Sequence, residues 1–212
     1  MIVLDIETSG GKQSPSQLGV WQIGALELEN PKNTFFQEGH IDSEDLVEEG
    51  AILVTGRSEK EMRNPKLQSQ KELIENFLTW ASKIEDQTLI CHNPQFDYGF
   101  IWVKSNKYKI NLKVPYRAMD LHTLSVDRIF KTKGILPKKD NQTAVSLKDI
   151  IEFCSLKDER IQLKETTIVK QGSPHNALED AKLEAECFSR LVYGKNLLPE
   201  FKEFPIPDYL KQ

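Results

Sequence analysis

Three short segments of the chain carry acids, histidines and amides that are suited to chemistry. They are Asp5-Ile6-Glu7-Thr8, His92-Asn93-Pro94-Gln95-Phe96-Asp97 and His175-Asn176-Ala177-Leu178-Glu179-Asp180. Each lies beside apolar residues, and a carboxylate buried without a partner either destabilises the fold or becomes neutral. A cluster of such acids is therefore expected to be neutralised by cations, and divalent metal ions are the obvious candidates.

The predicted elements bring four of these carboxylates into positions where they can share a ligand. Asp5 and Glu7 are two residues apart on a strand, so their side chains point to one face and Ile6 to the other. Asp97 and Asp180 lie early in predicted helices, where the positive helix end favours anions. A site of carboxylates without cysteine is made of hard oxygen ligands, which favours magnesium or manganese over zinc.

Magnesium bound by carboxylates indicates phosphoryl chemistry, because this ion keeps waters and takes ligands from substrate phosphates. Two ions about 4 Å apart stabilise both the attacking and the leaving oxygen of an in-line displacement, so phosphodiester hydrolysis fits the cluster. His175, which follows Pro174 at the start of the last helix, suits the role of general base. His92 has the same spacing to Asp97 as His175 has to Asp180, so spacing alone leaves the base undecided.

Each segment also has a purely structural interpretation. Asp5 and Glu7 suit an ordinary edge strand, His92 suits a strand end, and Asp180 suits a charged helix terminus. For isolated occurrences these structural interpretations are favoured, because short motifs often match by chance. The occurrence of all three segments in one chain reverses that preference and favours a catalytic metal site.

Length and composition indicate one globular domain. The chain has 212 residues, of which 39% are hydrophobic and 28% charged, and it contains no apolar run near the roughly 20 residues of a membrane span. Its first residues lack the basic region of a secretory signal, which predicts a cytoplasmic location. Cys91, Cys154 and Cys187 are far apart in apolar surroundings and are expected to be reduced core residues.

The net charge of −4 gives no bulk attraction to nucleic acid, so such a partner has to be held locally. The connection 131–143 contains Lys131, Lys133, Lys138 and Lys139, which suit phosphate contacts. A solvated loop is the more common meaning of such a charge run.

Hydrophobic periodicity predicts an α/β chain. We predict strands at 2–5, 19–28, 34–41, 88–91 and 118–121, with a turn at 30–33, and helices at 70–84, 94–104, from 121, at 146–153 and at 176–192. This order predicts a sheet of three antiparallel strands followed by parallel strands, flanked by helices. Residues 131–143 have the composition of a flexible connection, and 194–212 that of an irregular tail.

The three segments resemble the motifs of the DEDDh 3′-to-5′ exonucleases, the superfamily of ribonuclease T and the DNA polymerase III epsilon subunit. The resemblance covers residues 1–193 and includes the second-strand phrase Gln22-Ile23-Gly24-Ala25. It implies a ribonuclease-H-like fold for an exonuclease domain at 1–193, followed by a C-terminal tail at 194–212.

The resemblance also implies roles for individual residues. Asp5, Glu7, Asp97 and Asp180 would bind two divalent ions, Mg²⁺ or Mn²⁺, and His175 rather than His92 would be the base. The sister DEDDy group has a tyrosine where this chain has Asn176. Thr8, Val54 and Thr55 would hold the terminal nucleotide, although epsilon-like proteins often have a histidine where Thr55 stands. We add Ile6 and Phe96 as apolar contacts to a terminal base, because base stacking tolerates any sequence.

The expected function is a metal-dependent exonuclease that removes mononucleotides from single-stranded 3′ ends, with DNA slightly preferred. One alternative is an enzyme that trims RNA, and nothing in the sequence separates the two sugars. A second alternative is a non-catalytic nucleic-acid-binding module of a replication or repair complex, against which the complete acid set argues. A DNA polymerase or a repair complex is the expected protein partner.

Overall fold

The main sheet grows from a short apolar first strand that pairs on both sides. The computed structural model describes residues 1–211 and contains a six-stranded sheet of order β4-β3-β2-β1-β5-β6. The strands are β1 (Ile2–Thr8), β2 (Val20–Glu27), β3 (Asn30–His40), β4 (Gln68–Ser69), β5 (Leu89–Cys91) and β6 (Ala118–Asp120). β1, β2 and β3 are antiparallel, whereas β5 and β6 continue the sheet in parallel from β1. The predicted ribonuclease-H-like mixed sheet is therefore confirmed.

Within residues 1–211, seven α-helices pack around this sheet. They are α1 (Glu49–Thr55), α2 (Glu59–Met62), α3 (Gln70–Ala81), α4 (Pro94–Tyr108), α5 (Leu121–Lys133), α6 (Leu147–Phe153) and α7 (Ala177–Tyr193). Among residues 1–211, none of these helices combines the length and the apolar composition that a membrane crossing requires.

Two predicted boundaries in the sheet were wrong, and α4 runs to Tyr108 rather than to residue 104. β1 runs beyond residue 5 to Thr8 because Asp5, Ile6 and Glu7 all keep their antiparallel partners on β2. The turn between the second and third strands lies before Asn30, not at 30–33, because Asn30 already pairs with Glu27.

Regular structure occupies part of the connection 131–143, for which the sequence predicts a flexible connection. α5 continues to Lys133 and ends at Gly134, whose φ of 71° is the left-handed conformation that glycine adopts without strain. A two-stranded hairpin follows, formed by β7 (Lys138–Lys139) and β8 (Gln142–Thr143). A second hairpin, formed by β9 (Gln162–Lys164) and β10 (Thr167–Lys170), precedes α7 and was not predicted from the sequence.

The alternation of side chains along β1 divides the core into two layers. Ile2, Leu4 and Ile6 pack with α3 and α4 on one face of the sheet. Val3 packs with α5, α6 and α7 on the other face. Because side chains alternate along a strand, Asp5 and Glu7 share the face of Val3 and point toward α7. The three cysteines are buried and free within the described chain, as predicted.

The residues after α7 are held against it by one buried ion pair. Arg190 Nε lies 2.8 Å from Glu186 Oε1, and both side chains are fully buried. The same guanidinium donates to the carbonyls of Phe201 and Phe204, while Glu186 Oε2 accepts the Leu198 N–H. The tail, residues 194–211, is therefore bound to α7 by hydrogen bonds from side chains of α7 to backbone groups of the tail.

Candidate active site

The first two acids of the site are supplied by β1. Asp5 pairs with Gly24 across the antiparallel ladder, and Glu7 pairs with Gln22. Burial, followed by repulsion from Asp180, raises the pKa of both Asp5 and Glu7 well above its ordinary value. These two carboxylates therefore resist ionisation unless a cation is close.

Asp97 reaches the same place from the first turn of α4. Asn93, which precedes that helix, adopts φ 69°, a left-handed conformation that asparagine tolerates better than most residues. The Asp97 side chain is buried, and burial raises its pKa to about 8 although the backbone N–H groups of Asp97 and Ile6 favour its charged form. The contact with Ile6 brings Asp97 against the strand that carries Asp5 and Glu7.

α7 supplies the fourth acid, and its first turn is fixed by a side-chain cap. Asn176 Oδ1 accepts the N–H groups of Leu178 at 3.1 Å and Glu179 at 3.2 Å. Asp180 follows one turn into the helix and is buried. Ligand atoms of Glu7, His175 and Asp180 lie within 4.8 Å of one another.

His175 is held on three sides. Its N–H donates to the Val54 carbonyl at 2.9 Å, and its Nδ1 lies 3.4 Å from Asp180 Oδ2. Its Nε2 lies 2.9 Å from the Ile161 carbonyl. A carbonyl only accepts hydrogen bonds, so Nε2 carries the proton and the lone pair of a neutral ring is on Nδ1, facing the acids.

The other histidine has different surroundings. His92 Nε2 lies 3.0 Å from the Val145 carbonyl, and its ring packs edge-on against His122 with centroids 6.1 Å apart. Burial lowers the pKa of His92 although the Val145 carbonyl favours the charged form. His175, and not His92, forms an ion pair with Asp180 among the described residues.

Glu184 is a fifth acid of the cluster, and it was not predicted from the sequence. Its side chain lies on the same face of α7 as Asp180, and the residue is only 2% exposed. Glu184 Oε2 accepts the backbone N–H of His92 at 3.1 Å. Burial, then repulsion from Asp97 and Asp180, raises its pKa well above the ordinary value. The spacing of four residues from Asp180 was the available signal.

Sequence reasoning also missed a cation, Arg160. Its Nη1 lies 3.0 Å from Asp180 Oδ2, and its side chain is 12% exposed. No motif surrounds Arg160 in the sequence, so nothing there indicated a role in the site. The cluster thus combines four buried carboxylates and the partly buried Asp5 with one arginine.

This charge balance suits divalent cations. Asp180 Oδ1 is buried and has no hydrogen-bond partner among residues 1–211. A buried acceptor without a partner is costly, and a metal ion satisfies it. The carboxylate set around it has the hard oxygen atoms that Mg²⁺ and Mn²⁺ prefer. The residues present therefore fit a divalent ion.

The five residues predicted to contact substrate are distributed unevenly around the acids. Thr55 lines a pocket of about 470 Å³ together with Arg57 and His175, and Val54 is tied to His175 by the hydrogen bond described above. Thr8 is buried and donates its hydroxyl to the Gly10 carbonyl at 2.6 Å. Phe96 is half-buried and packs against the core layer that contains Ile6. The Ile6 side chain is 5% exposed within the core, so it offers a base little surface.

The comparison with protein families identifies the chain. The family model for RNase T, described as Exonuclease, matches residues 2–188. The chain belongs to this exonuclease family. Its motif residues and fold place it among the DEDDh exonucleases, in agreement with the sequence resemblance.

Relatives of this exonuclease family extend the comparison. The chain is 24% identical over 193 residues to the PolC-type DNA polymerase III of Thermotoga maritima, covering 90% of this chain but only 12% of the polymerase. Its fold matches the nuclease domain of 3′hExo, a DEDDh family member bound to rAMP, with a TM-score of 0.61, 15% identity and coverage of 98% of this chain and 95% of that one.

A second solved structure has the same fold. Escherichia coli Exonuclease I in complex with a dA16 oligonucleotide matches with a TM-score of 0.62 and 17% identity, covering 92% of this chain and 40% of the other. The shared architecture therefore includes members crystallised with DNA and with a ribonucleotide.

Proposed function

We propose that this protein is a 3′-to-5′ exonuclease that hydrolyses terminal phosphodiester bonds of single-stranded nucleic acid and releases nucleoside monophosphates. The observation that carries the proposal is the convergence of Asp180 and His175 of one segment with Glu7 of β1, at mutual ligand distances within 4.8 Å. Asp5 and Asp97 share the same electrostatic environment. The family membership supports a nuclease.

The acids are proposed to hold two divalent ions, Mg²⁺ or Mn²⁺. Asp5, Glu7, Asp97 and Asp180 supply the oxygens, and the unpartnered Oδ1 of Asp180 supports its assignment. When bound, such ions activate a water and stabilise the charge on the attacking and leaving oxygens. The raised pKa values of these acids support the same assignment, because a nearby cation would restore their charged forms.

His175 is proposed to be the general base, acting through Nδ1. The Ile161 carbonyl keeps the proton on Nε2, which leaves Nδ1 free to take the proton from the attacking water. The resulting imidazolium is stabilised by Asp180, whose Oδ2 lies 3.4 Å from Nδ1. His92 also bonds a backbone carbonyl through Nε2, but it is His175 whose Nδ1 is paired with Asp180.

The 3′ terminal nucleotide is proposed to lie beside His175 and to contact Thr8, Val54 and Thr55. Thr55 lines the pocket there. We assign the apolar contact with the terminal base to Phe96, which is half-buried, and drop Ile6 from that role because its side chain lies in the core.

DNA is the substrate we favour, because the PolC-type relative is a DNA polymerase and Exonuclease I was crystallised with dA16. RNA is the second candidate, since 3′hExo was crystallised with rAMP. A polymerase or repair complex in the cytoplasm is the proposed setting. Within this proposal, residues 1–193 are the exonuclease domain and 194–212 its tail.

The test is degradation of 5′-labelled single-stranded DNA and RNA oligonucleotides with Mg²⁺, with Mn²⁺ and with EDTA. We expect a ladder that shortens from the 3′ end, requires metal, and is lost in Asp97→Asn and His175→Gln. Asp127→Asn and His40→Gln, which lie away from the acids, are the matched controls. A folded, metal-binding protein that yields no ladder on either substrate would contradict the proposal and favour a non-catalytic binding module.

A further inference from the structure

Each nitrogen of the Arg160 guanidinium donates a hydrogen bond to an aspartate. Nε lies 3.0 Å from Asp158 Oδ1, and Nη2 lies 3.0 Å from Asp158 Oδ2. Nη1 lies 3.0 Å from Asp180 Oδ2. The contact with Asp158 is therefore a two-point fork, which fixes the plane and the direction of the guanidinium.

The backbone around Arg160 is held as firmly as its side chain. The Ser173 N–H donates to the Glu159 carbonyl at 2.8 Å, and the Ile161 N–H donates to the Ser173 carbonyl at 2.9 Å. Lys170 Nζ donates to the Asp158 carbonyl. A Cβ at Gly172 would lie 2.2 Å from the Glu159 carbonyl oxygen, so only glycine fits this crossing. The β9–β10 hairpin is thus closed at its base beside the acids.

One oxygen of Asp180 is occupied by this arrangement and the other is left open. Oδ2 accepts from Arg160 and faces His175, whereas Oδ1 is buried without a partner in the described chain. A carboxylate pinned through one oxygen cannot rotate without breaking a charged hydrogen bond. The direction of Oδ1 is therefore set by Arg160.

We propose that Arg160 is a positioning residue that orients Asp180 so that Oδ1 is presented to a divalent metal ion. The inference rests on the proposed function for the metal itself. The segment that carries Arg160 also supplies the Ile161 carbonyl, which holds the ring of His175 at 2.9 Å. One short stretch of chain therefore orients both the last acid and the base.

Two other roles for Arg160 fit the geometry less well. A direct contact with substrate phosphate requires an exposed guanidinium, but the Arg160 side chain is only 12% exposed and each of its three nitrogens already donates to an aspartate. A simple counter-charge requires only a positive group near the acids. A lysine would supply the same charge, so that role does not require the two-point contact between Arg160 and Asp158.

The experiment measures Mn²⁺ binding by calorimetry, without nucleic acid, in wild type, Arg160→Gln, Arg160→Lys and Asp158→Asn. Partners that orient a metal ligand typically contribute about 10- to 100-fold to metal affinity. We expect Arg160→Gln to raise the Kd by that factor and Arg160→Lys to recover only part of the loss. Asp158→Asn keeps Arg160 but loosens its fork, and we expect a smaller increase. Arg117→Gln, at an exposed position, is the control for loss of one positive charge.

The outcomes separate the possibilities. Unchanged Mn²⁺ binding in Arg160→Gln would overturn the proposal, because Arg160 would then not orient the metal ligand. Tighter binding would also overturn it, because the arginine would then act as a positive charge that competes with the metal. Full recovery in Arg160→Lys would overturn it as well. Thermal unfolding checks that each variant folds. If Arg160→Gln does not fold, the Mn²⁺ affinity of Asp158→Asn tests the proposal instead. If the wild-type protein cleaves no nucleic acid but the variants still bind Mn²⁺ more weakly, the positioning role of Arg160 is supported and only the proposed nuclease activity is refuted.

Discussion

The side-chain carbonyl of Gln22 accepts the backbone N–H of Ala177 at 2.8 Å and so joins β2 to the first residue of α7. The amide nitrogen of the same side chain donates to Glu38 Oε1 at 3.0 Å. Gln22 stands opposite Glu7 in the sheet. One buried amide therefore connects the strand beside the first acids with the helix that carries Asp180.

Replacing Gln22 by leucine removes this connection. The Ala177 N–H would be left buried without an acceptor, which typically costs about 1–3 kcal/mol. We expect Gln22→Leu to lower the free energy of unfolding by that amount, measured by urea denaturation. Gln13→Leu, at an exposed position, should change it by less than about 0.5 kcal/mol. Equal stability of the two variants would show that the amide does not hold α7.

Gly24 allows the same helix to approach the sheet. A Cβ built on Gly24 would lie 2.1 Å from the backbone nitrogen of Leu178. Overpacking of this kind typically costs about 1–3 kcal/mol, and we expect Gly24→Ala to reach or exceed this range because the obstacle is backbone. Calorimetric Mn²⁺ titration should also show weaker binding, since the shift moves Asp180.

Gly99 is the matched control for that substitution. It lies inside α4 with open space around its Cβ position. Alanine in a helix interior is favoured over glycine by about 0.5–1 kcal/mol, so Gly99→Ala should stabilise the protein. A loss of stability in both variants would mean that the close approach of α7 is not the cause.

The metal-free protein should become less stable as the pH rises from 5 to 8. Asp97 has a folded-state pKa of about 8, above the unfolded value of about 3.9. The folded state therefore binds more protons in this window, and each such proton lowers the free energy of unfolding by about 1.4 kcal/mol per pH unit.

Urea denaturation in EDTA at several pH values measures this slope. Asp97→Asn cannot ionise at that position. Its free energy of unfolding should therefore fall less steeply with pH than that of wild type, by about the 1.4 kcal/mol per pH unit that one proton contributes. A wild-type stability that rises with pH across this window would contradict the raised pKa values of the buried acids.

The buried pair of Arg190 and Glu186 should control the stability of the whole chain. Arg190→Met leaves Glu186 as a buried charge without its partner, which typically costs about 3–5 kcal/mol. Thermal unfolding should show a large decrease in Tm, whereas Lys211→Met, which removes an exposed charge near the end of the tail, should leave Tm nearly unchanged. Similar Tm values for both variants would mean that the tail packs independently of Arg190.

Local sequence patterns predicted most of the elements that position the site. The spacing of Leu73, Ile74 and Phe77 predicts α3, and the apolar runs before Asp5 and His92 predict the strands that end near the acids. These features depend on neighbours along the chain, which the sequence displays directly.

Contacts between distant segments could not be predicted in the same way. Glu184 lies beside the cluster through its bond to the His92 backbone, and Arg160 through the fork with Asp158 and the close crossing at Gly172. Neither contact follows from periodicity, because each depends on how a hairpin or a helix docks. Ile6 shows the same limit, since its position next to two acids does not reveal that its side chain is buried in the core.

The acids come from opposite ends of the domain, since Asp5 and Glu7 lie on β1 and Asp180 on α7. A chain being synthesised therefore contains the first strand long before it contains its last acid and its histidine. The complete cluster forms only after α7 has emerged and docked on β1 and β2. Any fragment that ends before residue 175 lacks both His175 and Asp180, so only the nearly full-length folded domain carries the complete set of charged side chains.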